Sequence, residues 1–222
     1  GIEPESVTSY HVGFVIGPCF NAAGRLETVK TAILLLRAQD RETAMKYAAA
    51  LREMNEERKN LTLEGAEQAQ AMIDQAQWKD DRVYLVYLPN CHESVAGIIA
   101  GRIREKYNRP VLVFANAREK GLIKASGRSI EAYNMFEELN HCRDLFLRFG
   151  GHKMAAGLTM KKEDLPVLRD RLRTQCMLTD EDLRPVVLID SPLPLGYISE
   201  ELIADLERLE PFGRGNEKPL FA

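Results

Sequence analysis

Between Ala44 and Ala76 apolar residues recur at helical spacing, and from Arg82 onward they gather into short continuous runs. A chain with that change of period has to place one long helix ahead of a sheet-containing domain. The stripe passes through Ala44, Tyr47, Ala48, Leu51, Met54, Leu61, Ala66, Ala69, Met72, Ile73 and Ala76, and Asp40 offers an N-cap. A helix from Arg41 to Gln77 would span about 55 Å at 1.5 Å per residue. Gly65 costs about 1 kcal/mol there relative to Ala, which predicts a kink or a close contact. The stripe drifts from a strict heptad and is flanked by globular sequence, so it reads as an inter-domain connector, not an isolated coiled coil.

After Trp78 strands and helices alternate. Arg82 to Leu88 and Val111 to Phe114 are apolar runs of strand length, and Glu93 to Tyr107 between them reads as a helix ended before Pro110. Leu122 to Ala125 and Gly157 to Met160 predict further strands, Asn134 to Leu147 a broken helix, and Leu165 to Met177 a helix. Pro185 to Ile189 reads as a last strand and Ser199 to Leu209 as a last helix. Ahead of the connector, Ala32 to Leu36 is a helical apolar run. The fold class is therefore α/β: a long connector helix, then a domain with a mixed sheet flanked by helices.

Composition narrows the function classes. The chain has 222 residues, 45% of them hydrophobic, and no apolar run nears the roughly 20 residues that cross a bilayer. Cys19, Cys91, Cys142 and Cys176 lie far apart with no Cys-x-x-Cys pair, which predicts reduced thiols, not a disulfide framework or a zinc knuckle. A net charge of −3 does not mark a nucleic-acid binder, yet eight Lys or Arg stand between Arg102 and Arg128 against only Glu105 and Glu119. Glu200 to Glu210 is acidic instead.

Four short elements carry candidate chemistry. Gly150-Gly151-His152 reads as a loop joining a helix to a strand, either a tight turn or a place where amides and imidazole face a phosphate or base. Ser126 and Arg128, two apart, share a face if extended, with Gly127 keeping the path between them open; Lys124 and Ser129 flank them. The same residues suit a surface β-turn. Asn21 and Arg25, four apart, share a face if the segment is helical, which by itself suits a helix start with a structural ion pair. His92 precedes a helix, where an anion site and a capping role compete. His11 and His141 have no such context.

With Asn21-Ala22-Ala23-Gly24-Arg25-Leu26, Ala125-Ser126-Gly127-Arg128-Ser129, Phe149-Gly150-Gly151-His152-Lys153-Met154-Ala155-Ala156-Gly157 and Leu209-Glu210-Pro211-Phe212-Gly213-Arg214-Gly215-Asn216 in this order, the chain resembles RecJ-type single-stranded-DNA exonucleases of the DHH phosphoesterase superfamily. The resemblance runs from about Ser6 to Phe221. It implies that residues 1–39 end the metal-binding DHH domain, 40–78 form the connector, 79–198 the DHH-associated substrate-binding domain, and 199–222 a helix and the start of a link to an oligonucleotide-binding domain. No Asp-His-His run is present and the chain opens on Gly1, so an internal fragment is expected.

The resemblance also implies a function. The complete enzyme would degrade single-stranded DNA from the 5′ end in repair and recombination, with Mn²⁺ or Mg²⁺ bound outside this chain, in the cytoplasm and away from membranes. Asn21, Arg25, His92, Lys124, Ser126, Arg128, Ser129, Gly150, Gly151 and His152 would bind nucleic acid, His152 positioning substrate and Ser126 with Arg128 gripping the backbone near its 5′ end. Cys19 stands where the family commonly has Arg, and Ser94 where it has Gly. Replication or recombination proteins are expected partners that the sequence does not identify. A DHH phosphodiesterase acting on short oligoribonucleotides or cyclic dinucleotides is the alternative enzyme, but lacks so long a connector and the Pro-Phe-Gly-x-Gly-Asn ending. A non-catalytic replication scaffold of the same fold is the third reading.

Overall fold

The computed structural model describes residues 3–26, 28–76 and 80–222. In chain order its elements are α1 (Ser9–His11), α2 (Gly17–Leu26), α3 (Lys30–Leu36), α4 (Arg41–Gln75), β1 (Tyr84–Tyr87), α5 (Ala96–Tyr107), β2 (Val111–Asn116), β3 (Leu122–Arg128), α6 (Met135–Asn140), β4 (Phe146–His152), β5 (Ala155–Lys161), α7 (Leu165–Gln175) and α8 (Glu200–Glu207). The chain divides into two compact units, residues 13–184 and residues 1–12 with 185–222. The expected boundary at 78/79 lies outside the described residues.

The long helix forms as its sequence predicts. Asp40 is extended and its carboxylate accepts the Thr43 amide at 2.7 Å, after which 35 residues stay helical until Ala76 turns extended. Gly65 proves to be a close contact: a Cβ there would run into Ile99 of α5. Ala66, Ala69 and Ile73 bury the same face against α5 and the sheet, whereas Leu51 packs with Ala23 and Ala32 of α2 and α3. One helix thus joins two separate apolar clusters.

The sheet is mixed, in the order β1-β2-β3-β5-β4, with β1 and β2 parallel and the other pairs antiparallel. The parallel pair needs a crossover, and α5 supplies it. One face, with Leu85, Leu112, Phe114, Ile123, Leu158 and Met160, packs on α6 and α7 through Met135, Leu139, Leu168 and Leu172. On the other face α5 and α4 cover Tyr84, Val86, Val111 and Val113 of β1 and β2. That cluster includes no side chain of β5 or β4.

Several expected boundaries move. The helix expected from Glu93 starts at Ala96, because residues 92–95 form a turn in which the Val95 amide donates to the His92 carbonyl. The broken helix ends at Asn140 apart from a 3-10 turn, Arg143–Leu145; Phe146 already belongs to β4, where it and Phe149 pack into the core. Gly150-Gly151-His152 is therefore the end of a strand, not a loop. Residues 185–189 make no strand: Val186 and Leu188 are about 80% exposed, and only Ser191 forms a bridge nearby, to Phe221. An apolar run becomes a strand only where its amides and carbonyls find a sheet edge.

In the smaller unit, Ser199 caps α8 by accepting the Leu202 amide at 3.2 Å. Asn216 donates to the Leu209 and Pro211 carbonyls, and Gly215 takes a positive φ of 84°, which explains the Gly-Arg-Gly-Asn ending as a closed turn. His11, which no sequence signal singled out, accepts the Thr8 amide at 3.1 Å and closes α1.

Candidate nucleic-acid interface

Strand pairing arranges the open half of the sheet in three rows. Successive side chains of a strand point to opposite faces, so residues that pair across strands share a face. Lys124 pairs with Thr159 and Thr159 with Arg148; Ser126 with Gly157 and Gly157 with Gly150; Arg128 with Ala155 and Ala155 with His152. The middle row holds one hydroxyl and two glycines. It forms a trough between two basic rows, and the groove of about 910 Å³ around it is lined by the Lys124–Thr159–Arg148 row but not by Arg128, Ala155 or His152.

The two expected glycines of β4 differ. A Cβ on Gly150 would meet nothing within 4 Å, so packing does not demand glycine there, and any side chain would fill the trough. Gly151 faces the other way, where a Cβ would strike the Ala155 carbonyl and Ala156. Gly151 is glycine for the close approach of β5, and it does not line the groove.

Ser126 and Arg128 do share a face, because β3 extends through both and alternates buried Ile123, Ala125 and Gly127 with half-buried Lys124, Ser126 and Arg128. The Arg128 guanidinium donates to the Gly127 carbonyl at 2.7 Å and lies under the first turn of α5, where a Cβ on Gly97 would come 3.0 Å from its Nη2. Burial, and then the charges of Arg25 and Arg104, pull its pKa below the ordinary guanidinium value. Arginine stays charged even so, and a half-buried cation beside other cations is set up to receive an anion. Gly127 does not open a path between its neighbours. It points to the opposite face, where a Cβ would collide with Met135. Ser129 also lies off the site: it is 1% exposed and its hydroxyl donates to the Tyr133 carbonyl at 2.6 Å.

His152 is exposed at the end of β4. The Met154 amide donates to its Nδ1 at 3.2 Å, so the neutral ring carries its proton on Nε2, free to donate outward. His92 is a groove residue with a structural bond, its Nδ1 2.6 Å from the Ser94 hydroxyl. Arg25 of α2 reaches the same turn and donates to the Ser94 carbonyl at 3.0 Å, closing one side of the groove. Asn21 is exposed on α2 but does not line the groove. Lys124 is engaged: its ammonium lies 2.6 Å from Glu93, and the hydrogen bond it donates holds that carboxyl below the usual range. Cys19 packs half-buried beside the Ala23, Ala32 and Leu51 cluster.

Comparisons with known proteins identify the family. Residues 80–177 match the DHHA1 domain family and residues 189–222 the RecJ OB domain family. The single-stranded-DNA-specific exonuclease RecJ of Bacillus subtilis (strain 168) is 39% identical over 210 residues, covering 94% of this chain and 27% of that protein. RecJ of Salmonella typhimurium (strain LT2) is 33% identical over 233 residues, covering 99% of this chain and 39% of that protein. The crystal structure of RecJ in complex with Mg²⁺ from Thermus thermophilus superimposes with a TM-score of 0.83 at 32% identity, over 95% of this chain and 32% of that one. The chain belongs to the RecJ family.

It spans less than two-fifths of the length of these RecJ relatives. The RecJ motifs drew attention to β3 and β4, yet Arg148, Thr159, Asn116 and Arg118 also line the groove and were missed. Their signal was register: Arg148 and Thr159 belong to the site only because each pairs with the row containing Lys124. Gly97 was missed as well, although a glycine in the first turn of an apolar helix is a mark of close helix–strand contact.

Proposed function

We propose that this chain is the connector and substrate-gripping part of an exonuclease that degrades single-stranded DNA from its 5′ end in repair and recombination. The observation that carries this is the trough of Ser126, Gly157 and Gly150 between the Lys124–Thr159–Arg148 and Arg128–Ala155–His152 rows. A cross-strand row whose one side chain is a small hydroxyl lets a nucleic-acid backbone pass close to the sheet while cations on either side meet its phosphates. Ser126 and Arg128 grip the phosphate at the 5′ side, His152 donates through Nε2 to hold the substrate, and Arg25 and His92 line the groove.

The RecJ relative of known structure is described in complex with Mg²⁺, and we extend Mg²⁺ or Mn²⁺ to the complete enzyme. Among the described residues no group of three or more His, Cys, Asp or Glu is placed to hold a metal ion. No step is therefore assigned to a metal held here; this chain binds and orients. Among those residues, too, no helix is long and apolar enough to cross a membrane, and we place the protein in the cytoplasm, with single-stranded DNA as its partner. We retain the division at 39/40, 78/79 and 198/199 into the end of the DHH domain, connector, substrate-binding domain and link.

The test is binding of 5′-phosphorylated and 5′-hydroxyl single strands to the chain across a salt series. Affinity should fall steeply with salt and favour the phosphorylated strand. Affinity indifferent to salt would overturn the reading.

A further inference from the structure

Strand β4 carries an irregularity that the end-gripping residues do not need. Phe146 pairs with Met160 and Arg148 with Thr159, so one extra residue, Leu147, is inserted between them. In a regular strand Phe146 and Arg148 would share a face. The bulge puts them on opposite faces, keeping Phe146 in the core and turning Arg148 onto the trough. Bulges of this kind re-aim a side chain and cluster beside functional sites.

Arg148 is exposed, and so is Arg118, which follows β2 and lines the same end of the groove. Neither guanidinium makes a hydrogen bond or ion pair among the described residues. The carboxylates at this end are Glu93, already paired with Lys124, and Glu119, so three cations face two acids. Four strand residues at about 3.4 Å each separate this row from that of His152, about 14 Å along β4. A single nucleotide does not bridge that distance.

We propose that Arg148 and Arg118 form a second phosphate subsite, across the trough from Arg128 and His152, which engages the backbone of a strand several nucleotides long. The proposal rests on the reading of the trough as a single-strand track. It makes the protein a reader of strand length: short products lose the far subsite and leave, whereas long strands hold both. Thr159, midway in the row, offers its hydroxyl to the same phosphate.

The test measures binding of two probes to this chain, a 5′-phosphorylated thymidine dinucleotide and a 5′-phosphorylated oligothymidylate of about eight nucleotides. Both arginines are exposed, so Arg118→Ala and Arg148→Ala should leave the thermal melt unchanged. The double variant should bind the oligomer about tenfold more weakly and lower its salt slope by about one per arginine, with dinucleotide affinity unaltered. Arg148→Lys should keep the slope and recover part of the affinity. Equal losses on both probes, or none on the oligomer, overturn the subsite. Arg128→Ala is the separate check: it should weaken both probes, and if it weakens neither, the end-gripping reading fails while the ratio between the probes still decides the subsite.

Discussion

Arg128 on β3 and His152 on β4 stand in one cross-strand row, because Ala155 on β5 pairs with both. Pairing places the two on one face of the sheet, with Arg128 half-buried under the first turn of α5 and His152 exposed at the end of β4. Arg128→Ala should cost about 1.5–3 kcal/mol of binding to a 5′-phosphorylated strand and shrink its preference over a 5′-hydroxyl strand. Arg128→Lys should recover only part, since an ammonium lacks the planar fork. In the full-length protein His152→Ala should lower turnover on both strands alike; indistinguishable variants would show that the row does not divide the work.

Gly150 and Gly151 should separate under substitution. Gly150→Ala meets open space, so its effect on stability should stay within about 0.5 kcal/mol while single-strand affinity falls. Gly151→Ala forces a methyl against the Ala155 carbonyl and Ala156, and should destabilise the fold by about 1–3 kcal/mol. Urea denaturation and strand binding, measured on both variants, check the contrast.

The seam between α4 and α5 offers a packing test. Gly65→Ala would gain about 1 kcal/mol of helix propensity but presses a methyl on the buried Ile99 side chain, for a net loss of about 1–2 kcal/mol. Ile99→Val removes the Cδ1 atom nearest that methyl, so the double variant should recover much of the loss. Additive losses in a double-mutant cycle would place the cost elsewhere.

Glu93 ties pH to the groove. Its carboxyl is held below the ordinary value of about 4.3 by the hydrogen bond from Lys124, so its contribution is full above that value and lost as pH falls through the lowered one. Both partners are partly exposed, and the pair is worth about 0.2–1 kcal/mol. Glu93→Gln should flatten that part of the stability curve below about pH 4.5. At neutral pH it frees Lys124, so strand affinity and its salt slope should rise; unchanged binding would mean that Lys124 does not face the strand.

The stripe from Ala44 to Ile73 and the Asp40 cap could be read from the sequence, because helix periodicity and capping are local properties, whereas at Gly65 the sequence left a kink or a close contact open and Ile99 decided for the contact. The shared face of Ser126 and Arg128 followed from the two-residue period once the segment was extended, and the structure chose the strand over the β-turn the sequence also allowed. The Gly150-Gly151-His152 motif reads locally as a loop, and only pairing with β5 makes it the end of a strand. What tertiary structure alone decided is which side of the sheet each motif residue faces. Ser129, Gly127 and Gly151 sit inside the motifs yet turn toward the core or a neighbouring strand, whereas Arg148 joins the trough through a bulge and Arg118 through its place after β2. Residues 185–189 carry a strand's composition without a strand, since pairing needs an edge that no local sequence supplies. A motif fixes residue types along the chain; register and cross-strand pairing, set by contacts far apart in sequence, fix which of them can touch the same ligand.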